Sequence, residues 1–144
     1  MRSAFDAAVV KAARGWLGTP YHHQQSVQGA GVDCLGLVRG VWREVIGPET
    51  EPTPNYSSSW LTGGDDVLLK ALRRHMEPVY GIRAGRVLAF RYRQGLPVKH
   101  VAIATGPCTM IHAYHERAVM EVDISSWWMR RCAAVFEFPM LEKM

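Results

Sequence analysis

Asp33-Cys34-Leu35-Gly36-Leu37-Val38-Arg39-Gly40-Val41-Trp42-Arg43-Glu44-Val45-Ile46-Gly47 is the stretch around which the rest of the chain is organised. Its apolar residues Leu37, Val38, Val41, Trp42, Val45 and Ile46 recur at three- and four-residue intervals, the stripe of a helix that buries one face. Asp33 is a good N-cap and Gly47 a good stop, so the pattern predicts a helix opening at Cys34. A helix N-terminus supplies partial positive charge and unpaired backbone N–H groups. Both favour a thiolate, and the same N–H groups can hold an oxyanion. Taken alone, a cysteine there reads more simply as the first residue of the buried stripe, because free Cys is commonly buried.

Working outward, Phe5, Ala8, Val9, Ala12 and Trp16 predict an earlier helix from about Ala4 to Leu17, with Ser3 as cap and Gly18 as stop. Thr19 to Val32 shows no sustained period and reads as a loop leading to Cys34. Pro48 to Gly64, rich in Pro, Ser, Thr and Gly, reads as an exposed connection. Asp65 or Asp66 then caps a third helix carrying Val67, Leu68, Ala71, Leu72 and Met76. After Pro78 come about five short β-like runs: Arg86 to Tyr92, Val98 to Thr105, Thr109 to Tyr114, Val119 to Ile124 and Cys132 to Phe138. Helices first and strands after predict an α+β domain, with N-terminal helices packed on a C-terminal antiparallel sheet.

The 144 residues suit one domain over residues 1–144. A formal charge of +4 with scattered Lys and Arg gives no basic run of the kind that binds nucleic acid. Cys34, Cys108 and Cys132 lack metal-site spacing and cannot all pair, so neither a metal centre nor a disulfide framework is expected, and no cofactor is implied. Trp127-Trp128 reads as core and rim or as a docking patch. No apolar run reaches the ~20 residues of a membrane span, so no membrane insertion is expected. Met1 to Gly18 lacks the apolar core of a signal peptide.

A nucleophilic cysteine needs an imidazole to take its proton and to protonate the leaving amine. His100 opens the run that shares one strand face with Ala102 and Ala104, small residues that leave room for a helix end to approach. The next run carries His112 and His115 on opposite faces. A three-residue loop at Thr105, Gly106 and Pro107 would set His112 directly opposite His100, able to orient its ring. A two-residue loop would turn His112 away.

Thr19-Pro20-Tyr21, Asp33-Cys34-Leu35-Gly36-Leu37-Val38, His100-Val101-Ala102-Ile103 and Ile111-His112-Ala113 together resemble the NlpC family of papain-like cell-wall cysteine peptidases. The likeness spans roughly the whole chain. It implies the papain-like NlpC fold, Cys34 as nucleophile, His100 as base and His112 as the residue orienting it, with Tyr21, Asp33 and Leu35 at the substrate. The family's usual Ser after the Cys is Leu35 here, which suggests a site for stem peptides still attached to glycan. The implied reaction is hydrolysis of peptidoglycan stem peptides, at a D-glutamyl to diamino-acid bond. The chain resembles the compact type found in phage tails and gene transfer agents. That likeness implies synthesis in a bacterial cytoplasm, tail hub or baseplate proteins as partners, and action in the periplasm or wall of the target cell. A catalytically silent tail-tip adaptor and a Cys-dependent acyltransferase are the alternative readings.

Overall fold

The computed structural model of the chain describes residues 2–50 and 66–140. The striped segment forms helix α2, Cys34–Val45, preceded by α1, Arg2–Arg14, and a short hairpin of β1, Ser26–Val27, and β2, Gly31–Val32. Next come α3, Val67–His75, and strands β3, Glu77–Val79; β4, Arg86–Phe90; β5, His100–Ala104; β6, Thr109–His112; and β7, Met120–Asp123. A single-turn helix α4, Ser126–Met129, leads into β8, Cys132–Glu137. Strands β3 to β8 form one antiparallel sheet in the order β3-β8-β4-β5-β6-β7. The expected α+β plan therefore holds, with six strands in place of about five.

The added strand, β3, contains Pro78, which had marked a boundary in the sequence. At the sheet edge the missing N–H of proline breaks no ladder, so the short pairing with β8 survives. The segment from Thr19 to Val32, expected as a plain loop, likewise contains the β1-β2 hairpin. Ser3 lies inside α1 and is not its cap, while Gly18, at φ +84°, ends the turn that follows. Asp66 stands at the start of α3 but makes no side-chain cap. Its carboxylate instead holds the Arg91 guanidinium at 2.6 Å and the Val98 N–H at 2.9 Å, tying α3 to the β4-β5 connection. Residues 51–64 of the expected connection, and Asp65, lie outside the described residues.

Leu37, Val38 and Val41 of α2 join Val9 and Ala13 of α1, Leu68 and Leu72 of α3, and Val87, Val101 and Ile103 of the sheet in one buried cluster. The other sheet face has its own cluster, Leu88, Phe90, Ala102, Ala104, Met110 and Ile124, with Trp128 packed on it. So α2 lies on the Val101/Ile103 face. The Ala102/Ala104 face, expected to admit the helix end, is filled by Met110 and Ile124. Cys34 and His100 line one cleft at the start of β5.

Two glycines let α2 pack closely. A β-carbon at Gly36 would overlap the Gln25 carbonyl oxygen, and one at Gly40 would overlap the buried Trp16 indole. We expect Gly40→Ala to destabilise by roughly 1–3 kcal/mol, the range for overfilling a packed core. Thermal unfolding reads it: the helix-propensity gain of Ala alone would raise the Tm, whereas the Trp16 clash lowers it. Among the described residues no helix is long and apolar enough to cross a membrane.

Candidate active site

Asp33 builds the entrance to α2. It is 2% exposed, and its Oδ1 accepts the Gly36 N–H at 2.7 Å as an N-cap. Its Oδ2 accepts the Gln24 N–H, also at 2.7 Å, so the same carboxylate pins the preceding loop. Gln24 adopts φ +63°, a left-handed conformation uncommon for a side chain other than glycine or asparagine, and that bond helps hold it.

Cys34 is half-buried and lines a cleft of about 310 Å³ with Tyr21, Asp33, Tyr92, His100 and Tyr114. Its thiol points at the Lys99 carbonyl, 3.9 Å away, and not at an imidazole. Burial, and then the Asp33 carboxylate, push the thiol up to about 12, while the N–H groups of Val101, Leu35 and Cys34 itself pull the other way. The resting sulfur is thus a neutral thiol seated among backbone donors.

His100, 3% exposed, and His112, 7% exposed, are joined by a hydrogen bond of 2.8 Å between Nε2 of His100 and Nδ1 of His112. The hairpin register differs from the expected one. Ile103 pairs with Ile111 and Ala104 with Met110, which places the three-residue tip at Gly106, Pro107 and Cys108. Thr105 and Thr109 close that tip through a main-chain bond of 2.9 Å and a hydroxyl bond of 2.7 Å. The pairing is shifted by two residues, so His112 is diagonal to His100 and not directly opposite. An even shift preserves the face, and the longer diagonal is spanned by the two rings.

Rings enclose His100. The Trp128 indole stacks on it with centroids 5.1 Å apart, Phe90 lies at 6.0 Å, and Tyr114 meets it edge-on at 5.5 Å. Burial, and then His112, hold the His100 imidazole well below its ordinary range. Burial alone lowers His112 to about 4. Both are therefore neutral when folded, while in the unfolded chain each takes a proton near its ordinary value of 6.5. Stability is intact above pH 6.5 and falls as the pH drops toward 4, by roughly 3 kcal/mol for His112 alone at 1.36 kcal/mol per unit. Thermal melts between pH 7.5 and 4 should show that fall, and His112→Asn, which cannot titrate there, should remove its share and leave that of His100.

Tyr21 lines the cleft, its ring edge-on to His115 at 5.3 Å. Burial, then Cys34 and Asp33, push its phenol up to about 12, so the oxygen keeps its proton. Leu35 packs partly buried against the main cluster and is not among the cleft-lining residues. Sequence reading missed Tyr92 and Tyr114, which lie at or just beyond strand ends, and the contact of Trp128 with His100. The paired aromatics at 127 and 128 were the available signal. Among the described residues no cluster of three His, Cys, Asp or Glu could hold a metal ion.

The profile of the NlpC/P60 family matches residues 18–136. No curated protein sequence matches the chain. Among solved structures, the NlpC/p60 domain of peptidoglycan hydrolase SagA is similar at 27% identity and a TM-score of 0.59, covering 94% of this chain and 98% of that one. An NlpC/P60 family protein from Bacillus cereus ATCC 10987 is similar at 22% identity and a TM-score of 0.67, over 92% of this chain and 40% of that one. NlpC2 from Trichomonas vaginalis gives 18% identity and 0.67, over 92% and 46%. The latter two share the fold and are more than twice as long as the part matched. With the profile covering most of its length, and with helices laid on an antiparallel sheet as in these structures, the chain belongs to the NlpC/P60 family of cysteine peptidases.

Proposed function

We propose that this chain hydrolyses stem peptides of peptidoglycan, with Cys34 as nucleophile, His100 as base and His112 as the group that orients it. The observation carrying this reading is the bond from His100 Nε2 to His112 Nδ1, 2.8 Å long, beside the cleft where Cys34 opens α2. Nε2–H donating to His112 leaves Nδ1 of His100 with its lone pair. Because the resting thiol and imidazole are both neutral, proton transfer from Sγ to Nδ1 accompanies attack on the scissile carbonyl. The Sγ–C bond forms, and the charge on oxygen is received by the N–H groups of Cys34 and Leu35 and by the Tyr21 hydroxyl. Protonated His100 gives its proton to the leaving amine as the C–N bond breaks. Water, deprotonated by the same ring, then hydrolyses the thioester and restores the thiol.

For the scissile bond we propose the linkage from D-glutamate to a diamino acid. Both oxygens of Asp33 accept backbone N–H groups and the Leu35 side chain has no polar atom, which supports a site without a clamp for a free amine. That favours stem peptides still joined to glycan. Delivery on a phage-like tail belongs to the same proposal and is supported by the resemblance to the compact tail type. Incubation with muropeptides followed by mass spectrometry tests the reaction: a new free D-glutamyl carboxyl is expected, and intact substrate would refute it. Tail particles made without this chain, scored for wall penetration, test the delivery.

A further inference from the structure

His112 and Tyr114 also line a second groove that the chemistry above leaves unused. It encloses about 420 Å³, within the ~300–1,000 Å³ of ligand-binding clefts. Tyr114 lines both this groove and the one holding Cys34, so the two lie side by side at that residue. Trp127 and Trp128 form one wall, their rings edge-to-face at 4.8 Å and 87°. Trp127 is 40% exposed yet fixed, because the Arg131 guanidinium lies 3.7 Å from its ring centroid and donates to its carbonyl at 2.9 Å. The remaining lining includes Arg117 and Asp123. The groove thus combines rigid aromatic faces with one guanidinium and one carboxylate.

A pyranose ring presents an apolar C–H face that stacks on an indole and a rim of hydroxyl and acetamido groups that bond to charged side chains. The opposed charges of Arg117 and Asp123 cancel, which suits a neutral polyhydroxylated ligand better than an anionic peptide. In peptidoglycan the muramic acid carboxyl is amide-linked to the stem peptide, so the sugar next to that peptide is neutral. We propose that the groove of Tyr114, Arg117, Asp123 and Trp127 binds the N-acetylated glycan strand from which the stem peptide at Cys34 hangs. This assignment rests on the stem-peptide reading above, and it makes the chain selective for glycan-linked substrate.

Two measurements separate the proposal from that reading. The ratio of kcat/KM for disaccharide-linked stem peptide to that for the same peptide free should exceed about tenfold in the intact chain. Trp127→Ala and Asp123→Ala should each bring it toward one. A ratio near one in the intact chain, or one that both variants leave unchanged, overturns the groove assignment while leaving the hydrolase intact. The second measurement needs no activity: titration of Cys34→Ala with peptide-free glycan oligomers in a calorimeter should give saturable binding that Trp127→Ala weakens at least tenfold. No binding at millimolar glycan, or equal binding by the Trp127→Ala double variant, overturns it even if no substrate is ever cleaved.

Discussion

Cys34→Ala loses stem-peptide cleavage, with kcat falling by about ten-thousand-fold or more, as when the nucleophile of a hydrolase that works through a covalent intermediate is removed. The variant should nevertheless fold. Ala is a strong helix former at the first position of α2, the Asp33 cap is independent of the sulfur, and Cys34 is only half-buried. A Tm within a few degrees of the parent, with no released amine by chromatography after long incubation, is the expected pair of results. Cys34→Ser should be almost as inactive, since the donors around the sulfur would face a smaller atom whose proton is harder to remove. Cleavage by Cys34→Ala at more than about a hundredth of the parent rate would assign the hydrolysis to another group. The outcome bears on the silent-adaptor alternative as well, because a module without chemistry has no activity for the substitution to remove.

How far such a site can be read from sequence depends on the range over which each feature is determined. The helix opening at Cys34 was legible because its stripe, cap and stop are local, and the structure keeps all three: Leu37 and Val41 fully buried, Asp33 bonded to Gly36, Gly47 just beyond the helix. Strand β3 was not, because three residues with a central proline carry no period. Asp66 looked like a cap because residue type and position allow that role, while the partners that claim it, Arg91 and Val98, are far along the chain. The relation of His100 to His112 came out correct in face but wrong in register. Alternation fixes the face, whereas the offset depends on where a tip of Gly106, Pro107 and Cys108 places the closing threonines. Trp128 shows the limit most clearly. Its stacking on His100 arises where the β7-β8 connection folds back over the sheet, and no spacing rule relates positions 100 and 128.

Replacing His112 tests the orienting role separately from the nucleophile. In the proposed mechanism His112 touches no substrate: its Nδ1 accepts Nε2–H of His100 and thereby fixes which nitrogen of the base carries the lone pair. His112→Leu removes the acceptor but keeps most of the volume in a nearly sealed site. His100 can then adopt the wrong tautomer or turn its ring between Trp128 and Tyr114. Loss of that constraint should lower kcat by about a thousandfold, between the hundredfold and ten-thousandfold typical of proton-transfer groups and their orienting partners, with little change in KM. His112→Asn should recover much of the loss, because its Oδ1 sits where Nδ1 did and accepts the same proton. A merely structural role predicts a different pattern. His112→Leu would then follow its stability, with a lowered Tm from the buried Nε2–H left without a partner, about 1–3 kcal/mol, and normal turnover by the molecules that remain folded. Steady-state kinetics well below the Tm decide between them: a kcat within about threefold of the parent for the leucine variant rejects the orienting role, and equal losses in the leucine and asparagine variants reject acceptance of the His100 proton as its basis.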